Sequence, residues 1–257
     1  MNVFEKHGMS HLSAATVNGW ISQPALALLK IAGIKGDPSP AMWRGSASEH
    51  AMNLYAAGRE TEVEPLIRAA EVEFDKLKKE SSADPSEDKL NRERKALTQY
   101  VTNGVEYLSE FMGDAVAPPL MQGKIYFEHE ELNIPILGYY DMLFQNPHQV
   151  VDIKTSASRP SRPTRAHSRQ LALYWYGTGG AEPWVWYVAK SGVSAFTVDN
   201  PQRHLNNFIE AVKNLERVLS FSEDIFECCR LYYPDIDDWK WDDVTRSAAK
   251  DIWKMEE

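Results

Sequence analysis

Over roughly the first 110 residues, apolar positions recur at helical spacing; beyond Lys124 they switch to runs and two-residue alternations that suit strands. Ser13 is placed to cap a first helix, and Pro24 opens a second segment reaching Ile31. Gly33 to Pro40 reads as a loop. Met42 to Ala57 is helical in pattern, with the small residues Gly45, Ser46, Ala47 and Ser48 early and Gly58 as its stop. Glu62 to Lys79 and Ser86 to Met112 are two charged helices. The second places Leu90, Leu97, Val101, Val105 and Leu108 along one face.

Strand-like sequence starts near Lys124 and continues through Ile134 to Phe144 and Gln149 to Lys154, with the turn signal Asn146-Pro147 between the last two runs. Ser156 to Pro163 is a Pro/Ser/Arg loop. Thr164 can cap a helix over Arg165 to Gly177, which Gly179-Gly180 would end. Trp184 to Ala189 and Val193 to Val198 form a second hairpin around Ser191-Gly192. Asn200-Pro201 starts a helix whose face is Leu205, Phe208, Ile209, Val212, Leu215 and Leu219. Helices, three strands, a helix, two strands and a helix predict an α/β fold: a central mixed sheet of about five strands flanked by helices, with an N-terminal helical elaboration. The expected organisation is a single domain over 1–257. Its helical part covers about 10–115, its core about 120–220, and an acidic, Trp-rich segment about 221–257 reads as a packed terminal helix or an oligomer interface.

The first hairpin carries the chemistry. A two-residue turn at Asn146-Pro147 sets Gln145 opposite His148 and, counting back, Asp141 opposite Asp152. Directly opposed side chains have Cβ atoms roughly 4.5–5.5 Å apart, where like charges repel. Alternation puts Lys154 on the face of Asp152 and turns Ile153 away. Two opposed carboxylates beside one ammonium predict a site for a hard divalent cation. Asp141 and Asp152 would supply oxygens, and the Ile153 carbonyl a third. A D-x-K tripeptide alone occurs by chance in many proteins; the cross-strand partner gives it weight.

The 257 residues carry a formal net charge of −9, which by itself speaks against a polyanionic partner. The distribution reverses that reading. Lys154, Arg159, Arg162, Arg165, His167 and Arg169 lie in a stretch from Lys154 to Gln170 without one acid, whereas acids gather in 60–80 and 235–243. A basic stretch beside a cation site suggests a phosphate-lined groove. No apolar run approaches the roughly 18 residues of a membrane span, and no signal-peptide pattern opens the chain, so a cytoplasmic protein without membrane partner is expected. The two cysteines, Cys228 and Cys229, are adjacent and read as small buried residues.

On the helix after the basic loop, Gln170 and Tyr174 share a face. There they could contact the DNA backbone or hold Lys154. Together, Gly138-x-x-Asp141, Asp152-x-Lys154 and Gln170-x-x-x-Tyr174, with Arg44-Gly45-Ser46-Ala47-Ser48-Glu49-His50 upstream, resemble the PD-(D/E)xK nucleases, in particular the RecB-type exonucleases common in phages. The resemblance covers roughly residues 10–200. It implies a restriction-endonuclease-like core and a Mg²⁺- or Mn²⁺-dependent hydrolase of DNA phosphodiester bonds. The implied catalytic set is Asp141, Asp152, Lys154, Gln170 and Tyr174. An upstream metal ligand would be Glu49, four after Gly45 and favoured because a carboxylate suits a hard ion, or else the neighbouring His50; adjacent helical positions point about 100° apart, so the two do not both face the metal. Arg44, Arg159, Arg162, Arg165 and Arg169 would meet DNA phosphates. Tyr140 stands where the family's name has proline. The iron–sulfur cluster of some relatives needs four cysteines and is not expected here. The implied activity is exonucleolytic digestion of linear DNA in recombination or genome processing, in the host cytoplasm if the protein is viral. The implied partners are a homo-oligomer or a single-strand annealing protein. The alternatives are an endonuclease of the same fold and a non-enzymatic DNA-binding or assembly module.

Overall fold

The computed structural model describes residues 2–113 and 117–255. In chain order the helices α1 (Val3–Lys6), α2 (Ala14–Ser22), α3 (Pro24–Ile31), α4 (Pro40–Ala56), α5 (Val63–Glu80) and α6 (Glu87–Gly113) precede the strands β1 (Leu120–Phe127), β2 (Ile136–Gln145) and β3 (His148–Thr155). Then come α7 (Arg165–Gly177), β4 (Glu182–Ala189), β5 (Gly192–Thr197), α8 (Pro201–Leu219), α9 (Ile225–Cys229) and α10 (Asp243–Trp253). The fold is α/β, with a five-stranded mixed sheet in the order β1-β2-β3-β4-β5. β2–β3 and β4–β5 are antiparallel hairpins, while β3 and β4 run parallel with α7 as their crossover. The predicted end of the helical part at 115 and the last two residues of the C-terminal segment lie outside the described residues.

Two compact units divide the chain. One consists of Asp37–Gly123 and Tyr139–Asp199. Its sheet is covered on one face by α4 and α6 and on the other by α7. Alternation explains the two faces. Ile153, Trp186 and Val188 join Trp43, Ala47, Met52, Phe74, Leu97 and Tyr100 in one hydrophobic core. Residues of opposite parity, among them Asp152, Lys154, Val185 and Tyr187, fall on the α7 side. Thr164 caps α7 through its hydroxyl, which accepts the His167 N–H.

The other unit consists of Met1–Gly36, Lys124–Gly138 and Asn200–Glu257. Asn200, at φ 49°, caps α8 by accepting the Arg203 N–H, and every member of the predicted apolar face of that helix is buried. Leu12 pairs in parallel with Ile136. Trp241 is buried beside the capping box that starts α10, and Trp253 Nε1 donates to the Tyr232 carbonyl at 2.9 Å. Cys228 and Cys229 are both buried and free. Among the described residues no helix is long and apolar enough to cross a membrane.

β1 begins at Leu120, four residues before the expected start. Most of its positions are exposed or half-exposed, so its apolar signal is weak. α1 was not expected, since four residues cannot display a helical period.

Candidate active site

The first hairpin has the register its turn demanded. Gln145 pairs with His148, Phe144 with Gln149, Leu143 with Val150 and Met142 with Val151. One step further along lie Asp141 and Asp152. Beyond the last pair, the Asp141 carboxylate serves the neighbouring strand: Oδ2 accepts the Ile153 N–H at 2.5 Å. Ile153 itself points into the core, as alternation requires.

Both aspartates are buried, Asp152 to 1% exposure. Lys154 Nζ lies 2.7 Å from Asp152 Oδ2. The two form a buried ion pair at hydrogen-bonding distance. Burial, followed by the charges of Asp152 and Glu49, raises the Asp141 pKa well above the usual carboxylate range, against the smaller opposing pull of Lys154 and the Ile153 N–H. For Lys154, burial disfavours the charged form, but the charges of Asp152 and Asp141 outweigh it, and the net shift is upward. The ammonium is held charged.

α4 supplies the third side. Gly45 lies against β3, where a Cβ would stand 3.0 Å from Thr155 Oγ1. Glu49 follows one turn later on the same face. It reaches Asp141 through Gln122 of β1, whose Nε2 donates to Glu49 Oε1 at 2.5 Å and, at a long 3.4 Å, to Asp141 Oδ1. His50 is exposed. Arg44 departs from its expected phosphate-binding role. It is buried at 8% exposure, ion-paired with Glu93, stacked 4.3 Å from the centre of the Tyr100 ring and 3.5 Å from Thr155 Oγ1. A guanidinium so committed braces α4 against α6 and β3.

α7 closes the α7-side face. Gln170 Nε2 donates to Asp152 Oδ1 at 3.1 Å and to the Tyr174 hydroxyl at 2.6 Å. Within the protein, the partner of Gln170 is therefore Asp152 rather than the expected Lys154. Tyr174 is buried, and burial and the Asp152 charge hold its phenol pKa far above the ordinary value. Both residues position a carboxylate. Two groups that sequence reasoning did not place in the site also gather here. His167 Nδ1 and the Tyr187 hydroxyl are 2.7 Å apart, and that hydroxyl also accepts the Thr164 N–H at 3.1 Å. Tyr187 is the register partner of Lys154 on β4. A β4 tyrosine carries no motif, so only the strand pairing could have found it. Arg159, Arg162 and Arg165 are exposed, whereas Arg169 is half-buried and its pKa is lowered by burial and the Arg165 charge.

Among the described residues no three His, Cys, Asp or Glu side chains stand ready-assembled around one ion. The three-sided set expected with Glu49 is not closed, because the Gln122 amide occupies the space between Glu49 and Asp141. The two aspartates by themselves fit a hard cation such as Mg²⁺, which commonly takes one or two carboxylates and keeps several waters. Asp152 Oδ2 is buried and faces the Lys154 ammonium at 2.7 Å.

No family model matches the chain, and no curated protein matches it. One solved structure with some likeness is the crystal structure of SSO0001. It is 13% identical, over 79% of this chain and 88% of that one, with a TM-score of 0.37. A likeness at that level carries no argument.

Proposed function

We propose that the protein is a divalent-metal-dependent deoxyribonuclease that hydrolyses phosphodiester bonds, acting as an exonuclease on linear DNA. The observation that carries the reading is the pair of buried carboxylates on the β2–β3 hairpin, with the Lys154 ammonium 2.7 Å from Asp152 Oδ2. Asp141 and Asp152 would hold the ion, with the Ile153 carbonyl as a further oxygen. A bound Mg²⁺ or Mn²⁺ would supply Lewis-acid polarisation and a water of lowered pKa.

The chain's own groups have separate duties. Gln170 fixes the rotation of the Asp152 carboxylate, and the Tyr174 hydroxyl anchors Gln170. The Ile153 N–H fixes Asp141. Lys154 would orient or activate the attacking water, or neutralise charge that builds on the phosphate oxygens. The exposed Arg159, Arg162 and Arg165 lie in the loop and first helical turn that follow Lys154, where they would bind the phosphate backbone and carry affinity rather than sequence preference.

The test is digestion of end-labelled linear DNA beside closed circular DNA, with Mg²⁺, with Ca²⁺ and with EDTA. Metal-dependent loss of the linear substrate alone is expected, with Asp152→Ala and Lys154→Ala each slower by at least about 10²-fold. Nicking of the circle would replace the exonuclease reading by an endonuclease one. Variants that cut as fast as the wild type would end the proposed mechanism, and absence of cleavage under every condition would favour a DNA-binding module.

A further inference from the structure

Gln122 is a further residue of this site that no motif announces. It lies on β1, yet its backbone stands at φ 50°, in the left-handed region that residues with side chains rarely adopt. Such a conformation persists where the surroundings dictate it, and it recurs at ligand-binding positions. The surroundings here are specific. The next residue, Gly123, has the Tyr140 ring lying against it, so close that a Cβ would stand 1.9 Å from Tyr140 Cζ. Tyr140 is itself buried and precedes Asp141 on β2. The strand is thereby held where the Gln122 side chain meets Glu49 and Asp141.

The amide is unusual in what it faces. Nε2 spends its donors on two carboxylates from different elements, Glu49 of α4 and Asp141 of β2. It is the NH₂ end of the amide that faces both carboxyl groups. The partial positive charge of that NH₂ group sits between negative groups that otherwise repel one another, which is the position a cation would take. An amide has a second end: its carbonyl oxygen suits a hard cation, and turning the group over exchanges donor for acceptor without moving the backbone.

We infer that Gln122 is a metal-responsive residue of the site. Its NH₂ group, as seen, bridges Glu49 and Asp141. With a divalent ion present the amide turns over and adds its oxygen to those of Asp141 and Asp152. The bridge to Glu49 is then released, so Glu49 is free to turn toward the ion. This rests on the metal-site reading proposed above and adds to it a residue and a switch.

The test reads Mn²⁺ binding directly, by the paramagnetic signal of free Mn²⁺ or by calorimetry, with no DNA and no turnover. Wild type, Asp152→Ala, Gln122→Ala, Gln122→Met and Gln122→Glu are compared, together with the melting temperature of each in EDTA. Gln122→Met keeps the bulk of the side chain if the alanine variant folds poorly. The expected result is affinity about tenfold weaker for Gln122→Ala and Gln122→Met, the usual scale for losing one supporting contact at a metal site. For Gln122→Glu, affinity is equal to or tighter than wild type and the metal-free protein melts lower, because a carboxylate serves the ion but repels Glu49 and Asp141 without it. If Gln122→Ala and Gln122→Met bind Mn²⁺ as tightly as wild type or more tightly, the amide is at most a displaced filler and the inference is overturned. Loss of binding in Asp152→Ala alongside that result would leave the metal site standing and remove only Gln122. Equal binding by wild type and Asp152→Ala, or none by either, would remove the metal site itself.

Discussion

Arg44 and Glu93 form an ion pair whose side chains are only about one-tenth exposed, 10% and 11% respectively. The pair ties α4, which carries Glu49, to α6, and the same guanidinium reaches Thr155 at the end of β3. A basic residue read from sequence as a phosphate contact is thus part of the interior.

Arg44→Ala should cost stability rather than DNA affinity. Removing one partner of a buried pair leaves the other charge uncompensated, at about 3–5 kcal/mol. Urea denaturation checks this through a lower midpoint at unchanged slope. A loss under about 1 kcal/mol would mean that Glu93 finds solvent or that Arg92, 3.3 Å away, takes over the charge.

Arg159→Ala, Arg162→Ala and Arg165→Ala should behave in the opposite way. Each is exposed, so thermal stability should stay within about 0.5 kcal/mol of wild type. Each should weaken DNA binding across sequences and lower the slope of log affinity against log salt by about 1. Slopes equal to wild type in all three variants would remove the basic loop from the DNA interface.

Gly123→Ala tests the contact that seats β1. The added methyl collides with the buried Tyr140 ring, and overpacking of this kind costs about 1–3 kcal/mol. The cost should shrink in a Tyr140→Leu background, where no aryl group occupies the space. A double-mutant cycle that finds the two changes additive would show that the collision is relieved elsewhere.

His167 predicts a pH dependence. Burial and the Lys154 charge hold its pKa below the ordinary histidine value, against a smaller upward pull from Asp152, and the Tyr187 hydroxyl bonds its Nδ1. The unfolded chain therefore takes up the proton near pH ~6.5 while the folded chain does so only at lower pH. The contribution is whole above that value and is lost as pH falls from it through the folded value. His167→Gln lacks the titration, so its stability deficit relative to wild type should narrow as pH falls from about 7.5 to 5. Melting curves across that range check it; a deficit independent of pH would place the folded pKa at the unfolded value.

What the sequence determined by itself is the part governed by short-range chemistry. Thr164 capped α7 and Asn200-Pro201 opened α8 because a cap is a bond between residues three apart. The Asn146-Pro147 turn set the β2–β3 register, and alternation then placed Lys154 with Asp152 and sent Ile153 to the core. The five-stranded mixed sheet followed from the order of these elements.

Only the tertiary structure decided what each site residue touches. Gln170 was legible as a helix-face residue, but its choice of Asp152 over Lys154 depends on how α7 lies across β3. Glu49 and Gln122 are 73 positions apart, and Arg44 and Glu93 are 49 apart. No periodicity or turn encodes such pairs, because their energies come from burial and charge neutralisation that exist only once distant segments have packed. The two carboxylates of the hairpin were therefore readable in advance. The amide that stands between one of them and Glu49, and the arginine removed from the surface, were not.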